Sequence, residues 1–240
     1  MWGGGKDVAR IKKEFIKNKQ LNFGVGQGKV VLMTDKNAYG FYDAENGYYH
    51  SKRNYEKNYS SFNYPCVTNV TFIDSLKCIV MDKVQGISYN DLLHDKLIIK
   101  KLLELQVASS TIINPNGEVL FLQHGDANRA NIIWVDNEPI FIDLDNIGYY
   151  PPLLDIIHYC CSVYDLLELE TSLNENDELV RKICDRVGIE TTGNYLDDLF
   201  YRYVNHYIKM NCCFEDFKIF TLDNTKNYPR TNELLQSIKI

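Results

Sequence analysis

Between residues 22 and 82 short apolar stretches alternate with clusters of turn-forming residues, the pattern of a small sheet. The runs 29–34 and 38–43 flank an Asp35-Lys36-Asn37 turn and read as two strands. Residues 51–62 carry helix-forming polar residues with aromatics at intervals and are expected to form a helix. After Pro65 two further strands are expected at 67–73 and 76–80, split by Asp74-Ser75. Beyond Gly86 the period changes. Leu92, Leu93, Leu97, Ile98, Leu102 and Leu105 recur at helical spacing, so a long helix capped by Ser88 or Asn90 should run to about residue 113, where Asn114-Pro115-Asn116-Gly117 stops it. Past Pro151-Pro152 helices are expected at 153–169, 177–187, 195–210 and 232–237. Strands first and helices afterwards imply an α+β protein.

At 240 residues with 45% hydrophobic content, the chain can build two lobes that share one interface. No run approaches the roughly 18 to 20 apolar residues of a membrane span, and Met-Trp-Gly-Gly-Gly followed by lysines lacks a secretory apolar segment, so a cytoplasmic protein with no membrane partner is expected. The seven cysteines include the adjacent pairs Cys160-Cys161 and Cys212-Cys213 but no paired C-x-x-C spacing, which favours reduced thiols over structural zinc. The net charge of −6 is unevenly spread. Residues 1–86 hold 13 Lys and Arg against 8 Asp and Glu, whereas residues 87–240 hold 13 against 24. A positive first part and an acidic second part suit a phosphate on one side and a cationic or metal-bound ligand on the other. A nucleic-acid partner is not expected, because no basic cluster with interleaved aromatics stands out.

The chemistry is concentrated between Gln123 and Tyr159. Residues 132–135 and 139–142 are short apolar strands joined by Asp136-Asn137-Glu138, which is hairpin spacing, so Asn131 and Asp143 fall at the same open end. An amide oxygen and a carboxylate on neighbouring strands can share one hard cation, and magnesium takes its remaining ligands from water and substrate phosphates. That combination implies a nucleoside triphosphate. Asp126 stands five residues before Asn131 on the loop entering the hairpin, where a carboxylate can accept the proton of an attacking hydroxyl. Gly125 permits a backbone angle that larger residues resist, and His124 is expected to tie the loop down by hydrogen bonds.

The string His124-Gly125-Asp126, with Asn131 behind it and Ile142-Asp143 following, resembles the catalytic and metal motifs of the aminoglycoside phosphotransferase and choline kinase superfamily. H-G-D in place of H-R-D, and no D-F-G after Ile142, separate it from protein kinases. The segment Gly148-Tyr149-Tyr150-Pro151-Pro152-Leu153-Leu154-Asp155 resembles a G-Y-x-x-P-x-x-D element of the same family, which makes Asp155 a structural anchor. The resemblance implies a bilobal protein-kinase-like fold, with a β-rich nucleotide-binding lobe over residues 1–86 and a mainly helical lobe over 87–240 that carries the catalytic loop and acceptor site. It implies Asp126 as catalytic base and Asn131 and Asp143 as Mg2+ ligands. It implies the backbones of Asp82 and Val84 as hydrogen-bond partners of adenine, Gly26 within a glycine-rich loop over the phosphates, and Glu56 as the glutamate that orients a phosphate-binding lysine. That lysine should lie in the 38–43 strand, which has none; Lys29, Lys36 and Lys52 are the nearest.

The activity so implied is Mg2+-dependent transfer of the γ-phosphate of ATP or GTP to a hydroxyl of a small molecule such as an aminoglycoside, choline or a sugar. The missing lysine motivates an alternative, a non-catalytic or weakly active nucleotide-binding module of the same fold. Metal-dependent hydrolysis by clustered acids ranks last, since this stretch lacks further His or carboxylate ligands at suitable spacing.

Overall fold

A computed structural model describes residues 22–26, 28–89, 91–163, 165–209 and 219–238. The first part is an antiparallel five-stranded sheet of order β1-β2-β3-β5-β4, made of β1 (Asn22–Gly26), β2 (Lys29–Met33), β3 (Asn37–Tyr42), β4 (Val70–Ile73) and β5 (Cys78–Asp82). One helix, α1 (Glu45–Asn58), lies between β3 and β4. It begins six residues earlier and ends four earlier than the expected 51–62. Its buried residues are Tyr48, Ser51, Tyr55 and Asn58, spaced three, four and three apart, so the inward stripe is helical. Two of the four are polar, and an apolar pattern alone does not register them.

The second part opens with α2 (Leu92–Ala108), whose cap is neither residue named from the sequence: Asp91 accepts a hydrogen bond from the His94 amide, Ser88 lies upstream, and Asn90 is outside the described residues. The helix stops at Ala108 instead of running to 113, because residues 111–113 form β6 (Thr111–Ile113) against β7 (Val119–Gln123), which in turn pairs with β10 (Gly148–Tyr150). The expected hairpin is present as β8 (Ile132–Val135) and β9 (Glu138–Phe141), with Asp136 and Asn137 both at positive φ as the tight turn requires. Helices α3 (Leu154–Val163) and α4 (Leu166–Glu175) replace the single helix expected over 153–169, since Asp165 starts a new helix by capping the Glu168 amide. Among the described residues three more follow, α5 (Asp177–Val187), α6 (Tyr195–Lys209) and α7 (Pro229–Ser237), and one apolar core joins these helices to β7, β8 and β9. The five described cysteines are free thiols, three of them buried; Cys212 and Cys213 are outside the described residues. Among the described residues no helix is long and apolar enough to cross a membrane.

The crossing between the two parts is stapled. The Ile87 amide donates to the Trp134 carbonyl at 3.0 Å and the Trp134 amide returns a bond to Ile87 at 2.8 Å. Gly86 therefore packs flat on β8, where an added Cβ would stand 2.2 Å from the Trp134 carbonyl oxygen and 2.7 Å from the Ile133 side chain. Gly86→Ala is expected to destabilise the fold by about 1–3 kcal/mol, read as a lowered midpoint in chemical denaturation; an unchanged midpoint would mean that the crossing yields to a methyl group at no cost.

Candidate active site

The two parts enclose a cleft of about 400 Å³. Its roof follows the two-residue period of a sheet face, with Lys29, Val31 and Met33 from β2 and Ala38, Gly40 and Tyr42 from β3. Ile79 and Met81 of β5 line it, as do Asp82, Lys83 and Val84, and its floor is Ala130, Asn131, Ile133, Ile142 and Asp143. A mostly apolar cleft with a few polar groups is the usual form of a small-molecule site.

The loop Gln123–Asn131 is held from below by one buried carboxylate. Asp155, at the start of α3, accepts from the amides of His124 at 2.7 Å and Gly125 at 2.8 Å, and from the Tyr64 hydroxyl at 2.9 Å. The structural expectation for Asp155 is met. His124 also ties the loop down: its Nε2 donates to the Ile142 carbonyl at 2.8 Å, while Nδ1 accepts from the Asp126 amide at 3.2 Å. Gly125 has φ of 83°, and a Cβ there would lie 2.4 Å from the Asn146 carbonyl oxygen and 2.8 Å from the Tyr150 hydroxyl. Steric exclusion and a left-handed backbone thus both demand glycine at the middle of H-G-D. Asp155→Ala strands three donors in the core and is expected to cost at least about 3 kcal/mol, measured by denaturation; Asp155→Asn, which keeps one acceptor, should cost less. Equal stability of all three proteins would remove the anchor.

The polar residues named from the sequence fall as follows. Asn131 donates from Nδ2 to the Asp126 carbonyl at 2.9 Å and to the Asp126 carboxylate at 3.1 Å, and Asn128 donates to the other carboxylate oxygen at 3.0 Å. Because Asn131 spends its Nδ2 on Asp126, its Oδ1 is the end available to a cation. The Ile142 amide bonds the Asn131 carbonyl at 2.9 Å, which brings Asp143 to the open end of the hairpin beside Asn131, and both line the cleft. Asp143 has φ of 60°, a left-handed conformation that Asp tolerates better than most residues. Asn131 and Asp143 are oxygen donors of the kind a hard divalent cation takes, and two of them leave coordination places for water and phosphate.

Asp82 and Val84 line the cleft at the end of β5. Gly26 ends β1 and pairs with Lys29 of β2, and Gln27 is outside the described residues. Glu56 does not reach the cleft. Its carboxylate points outward, 58% exposed, and lies 3.9 Å from Lys52, whose ammonium bonds Asp74 at 2.8 Å. The reason is helical phase: α1 turns Ser51, Tyr55 and Asn58 inward, and Glu56 is one residue, about 100°, past Tyr55. The residues of α1 that reach the segment after the hairpin are Asn54, whose Nδ2 donates to the Asp145 carbonyl at 2.7 Å, and Asn58, whose Nδ2 donates to the Ile147 carbonyl at 2.9 Å.

Lys29 was only one of three nearby lysines in the sequence, and the structure singles it out. It is 9% exposed, and its Nζ bonds the carboxylates of Asp143 and, at 2.7 Å, Asp145. Burial works against its charge, but the two carboxylates outweigh burial and raise its pKa above the ordinary lysine value. Burial raises the pKa of Asp145, against the pull of Lys29. Tyr42 donates its hydroxyl to Asp145 at 2.6 Å, and burial together with that carboxylate keeps the phenol neutral. On the other side of the loop His158 of α3 places Nε2 3.8 Å from the Asp126 carboxylate.

Residues 96–184, which include Asp126, Asn131 and Asp143, match the family model described as "Phosphotransferase enzyme family". The fold is that of the aminoglycoside kinases within the protein-kinase-like group. The GDP and kanamycin complex of APH(2")-IIia superposes with a TM-score of 0.51 at 11% identity, covering 98% of this chain and 99% of that one. An amicoumacin kinase in complex with AMP-PNP, Ca2+ and Ami gives 0.50 at 10% identity, covering 98% and 94%. Among curated proteins, a probable bifunctional tRNA threonylcarbamoyladenosine biosynthesis protein of Methanosphaera stadtmanae is 28% identical over 138 residues, covering 50% of this chain; the chain spans about a quarter (23%) of that relative's length.

Proposed function

We propose, with the phosphotransferase fold as premise, that the chain transfers the γ-phosphoryl group of ATP or GTP to a hydroxyl of a small molecule, with Mg2+ as cofactor and a cytoplasmic place of action. The observation that carries this reading is that Asn131 and Asp143 line one end of an apolar cleft, with the Asp126 carboxylate bonded to Asn131 beside them, while Asp82 and Val84 line the other end. A nucleotide base fits between Val31, Ala38 and Met81 above and Ile133 and Ile142 below, with its edge toward the backbone of Asp82 and Val84. Residues 1–86 then form the nucleotide lobe, and 87–240 the lobe for catalysis and acceptor binding.

Asp126 is placed to take the proton of the acceptor hydroxyl, with its carboxylate oriented by Asn128 and Asn131. Oδ1 of Asn131 and the carboxylate of Asp143 would hold Mg2+, which when bound neutralises phosphate charge. The acidic balance after Gly86 and the tyrosines around the second lobe suit a cationic acceptor such as an aminoglycoside or choline, with sugars as the neutral class.

A panel of aminoglycosides, choline, sugars and transfer RNA, incubated with ATP or GTP and Mg2+ and read by release of nucleoside diphosphate, tests the reading. Acceptor-dependent release with one small-molecule class is the expected result. Release with transfer RNA alone would place the acceptor outside the small molecules. Nucleotide binding without release for any acceptor would favour the weakly active nucleotide-binding module, the reading that the lysine-free 38–43 strand and the outward Glu56 support.

A further inference from the structure

The roof of the cleft offers six inward positions on β2 and β3, and their register is fixed by pairing: Lys29 opposes Tyr42, Val31 opposes Gly40 and Met33 opposes Ala38. On β3 none of the three carries a charge. On β2 one does, and it stands at the end of the sheet farthest from Asp82, because β3 pairs with Asp82 through Asn37 and with Lys29 through Tyr42. Five residues of strand separate these ends, roughly 16 Å. If the base edge meets Asp82 and Val84, the phosphates of an extended nucleotide arrive at the Lys29 end.

Three observations fit this ammonium for phosphate rather than for a purely structural bridge. Lys29 faces Asp143 across the cleft, on the hairpin end that would hold the cation, so metal and ammonium would share one anionic chain. It has a second carboxylate, Asp145, whose two oxygens are divided between Lys29 and the Tyr42 hydroxyl and whose carbonyl is fixed by Asn54 of α1. When Asp143 turns to a cation, Lys29 therefore keeps one orienting partner and regains free N–H donors. Finally, the adjoining roof position is Gly40, where an added Cβ would meet only the Ile79 carbonyl oxygen, at 3.8 Å. The middle of the roof is left open, so the lysine stem and a phosphate chain can share it.

Resting on the phosphotransfer reading above, we propose that Lys29 is the phosphate-binding cation of this cleft, supplied by β2 instead of β3, with Asp145 as its positioning carboxylate in the place assigned from the sequence to Glu56. The arrangement moves the cation from the middle of the roof to the Gly26–Lys29 pair, and the helix contact passes through Asn54 and the Asp145 backbone.

The test is calorimetry on the full chain with two probes, ATP in Mg2+ and adenosine. Lys29→Met is expected to weaken ATP binding about ten- to a hundredfold, the range for loss of a charge-assisted hydrogen bond, and to leave adenosine affinity within twofold. Lys29→Met combined with Gly40→Lys, which moves the cation to β3, should recover most of the loss. Should Lys29→Met fold poorly, Lys29→Gln keeps a hydrogen-bond donor for Asp145 without the charge and should show the same selective loss. ATP affinity unchanged in a folded Lys29 variant, or equal loss for ATP and adenosine, overturns the assignment. A double variant no better than Lys29→Met removes the part given to Gly40. A parent protein that binds neither ATP nor GTP removes the phosphotransfer reading and this one together, whereas a parent that binds ATP beside an indifferent Lys29→Met removes this one alone.

Discussion

Asp126→Asn is expected to lower turnover by at least about 10²-fold, the usual scale for loss of a general base, while nucleotide affinity stays within a few-fold of the parent. The substitution is nearly isosteric, and the Asp126 backbone contacts, the His124 Nδ1 bond and the Asn131 bond to the carbonyl, do not involve the side chain. What changes is the carboxylate that Asn128 and Asn131 both address: an amide offers one acceptor where two donors now point. One of those bonds is lost at a half-buried position, a modest structural cost beside removal of the proton acceptor. Measuring kcat and nucleotide Kd on the same preparation separates the two. Equal turnover in variant and parent removes Asp126 from the mechanism, and a parallel loss of affinity and turnover makes it a structural residue.

The candidate catalytic segment was legible in the sequence because its polar residues sit at fixed intervals on one hairpin and its entering loop, where local spacing and spatial proximity coincide. Asn131 and Asp143 needed only the hairpin register, whereas Asp155 was marked by the resemblance of residues 148–155 to the G-Y-x-x-P-x-x-D element and not by spacing. The roof of the cleft was less legible. Lys29 meets Asp143 across more than a hundred residues, and no pattern near position 29 announces that contact. One signal was present: with a period of two, Lys29 shares a face with Val31 and Met33, which are cleft residues, while Lys36 falls in the turn after the strand. Glu56 was misplaced by one residue of helical phase. The misplacement arose because the inward stripe of α1 contains Ser51 and Asn58, so its apolar members alone do not fix the rotation of the helix. The strands β6, β7 and β10 were missed for a different reason. They are three to five residues long: β10 pairs with β7 from more than twenty residues away, which local propensity does not report, and β6, a local partner of β7, lies where the apolar spacing of α2 reads as continuing.

Asp143→Ala is expected to abolish the Mg2+ dependence of nucleotide binding, because it removes the one carboxylate of the proposed cation pair, while Asn131→Ala should weaken that dependence without ending it. The alanine has two further consequences that must be kept apart from the metal. It leaves Lys29 with Asp145 as its remaining carboxylate partner, so the ammonium stays charged and metal-free nucleotide binding should persist or rise slightly. It also puts a residue with a poor left-handed preference at φ of 60°, at a cost of about 1–2 kcal/mol in stability. Asp143→Asn separates these effects, since asparagine accepts the left-handed conformation and keeps an oxygen ligand but no charge. Titrating ATP into each protein with Mg2+ and with a chelator should therefore rank the metal-dependent gain in affinity as parent, then Asn131→Ala and Asp143→Asn, then Asp143→Ala with none. Asp143→Asn should melt close to the parent and Asp143→Ala below it. A parent whose affinity for ATP is the same with and without metal would remove the cation from between Asn131 and Asp143, and the Lys29 contact to Asp143 would then stand as the reason that carboxylate is there.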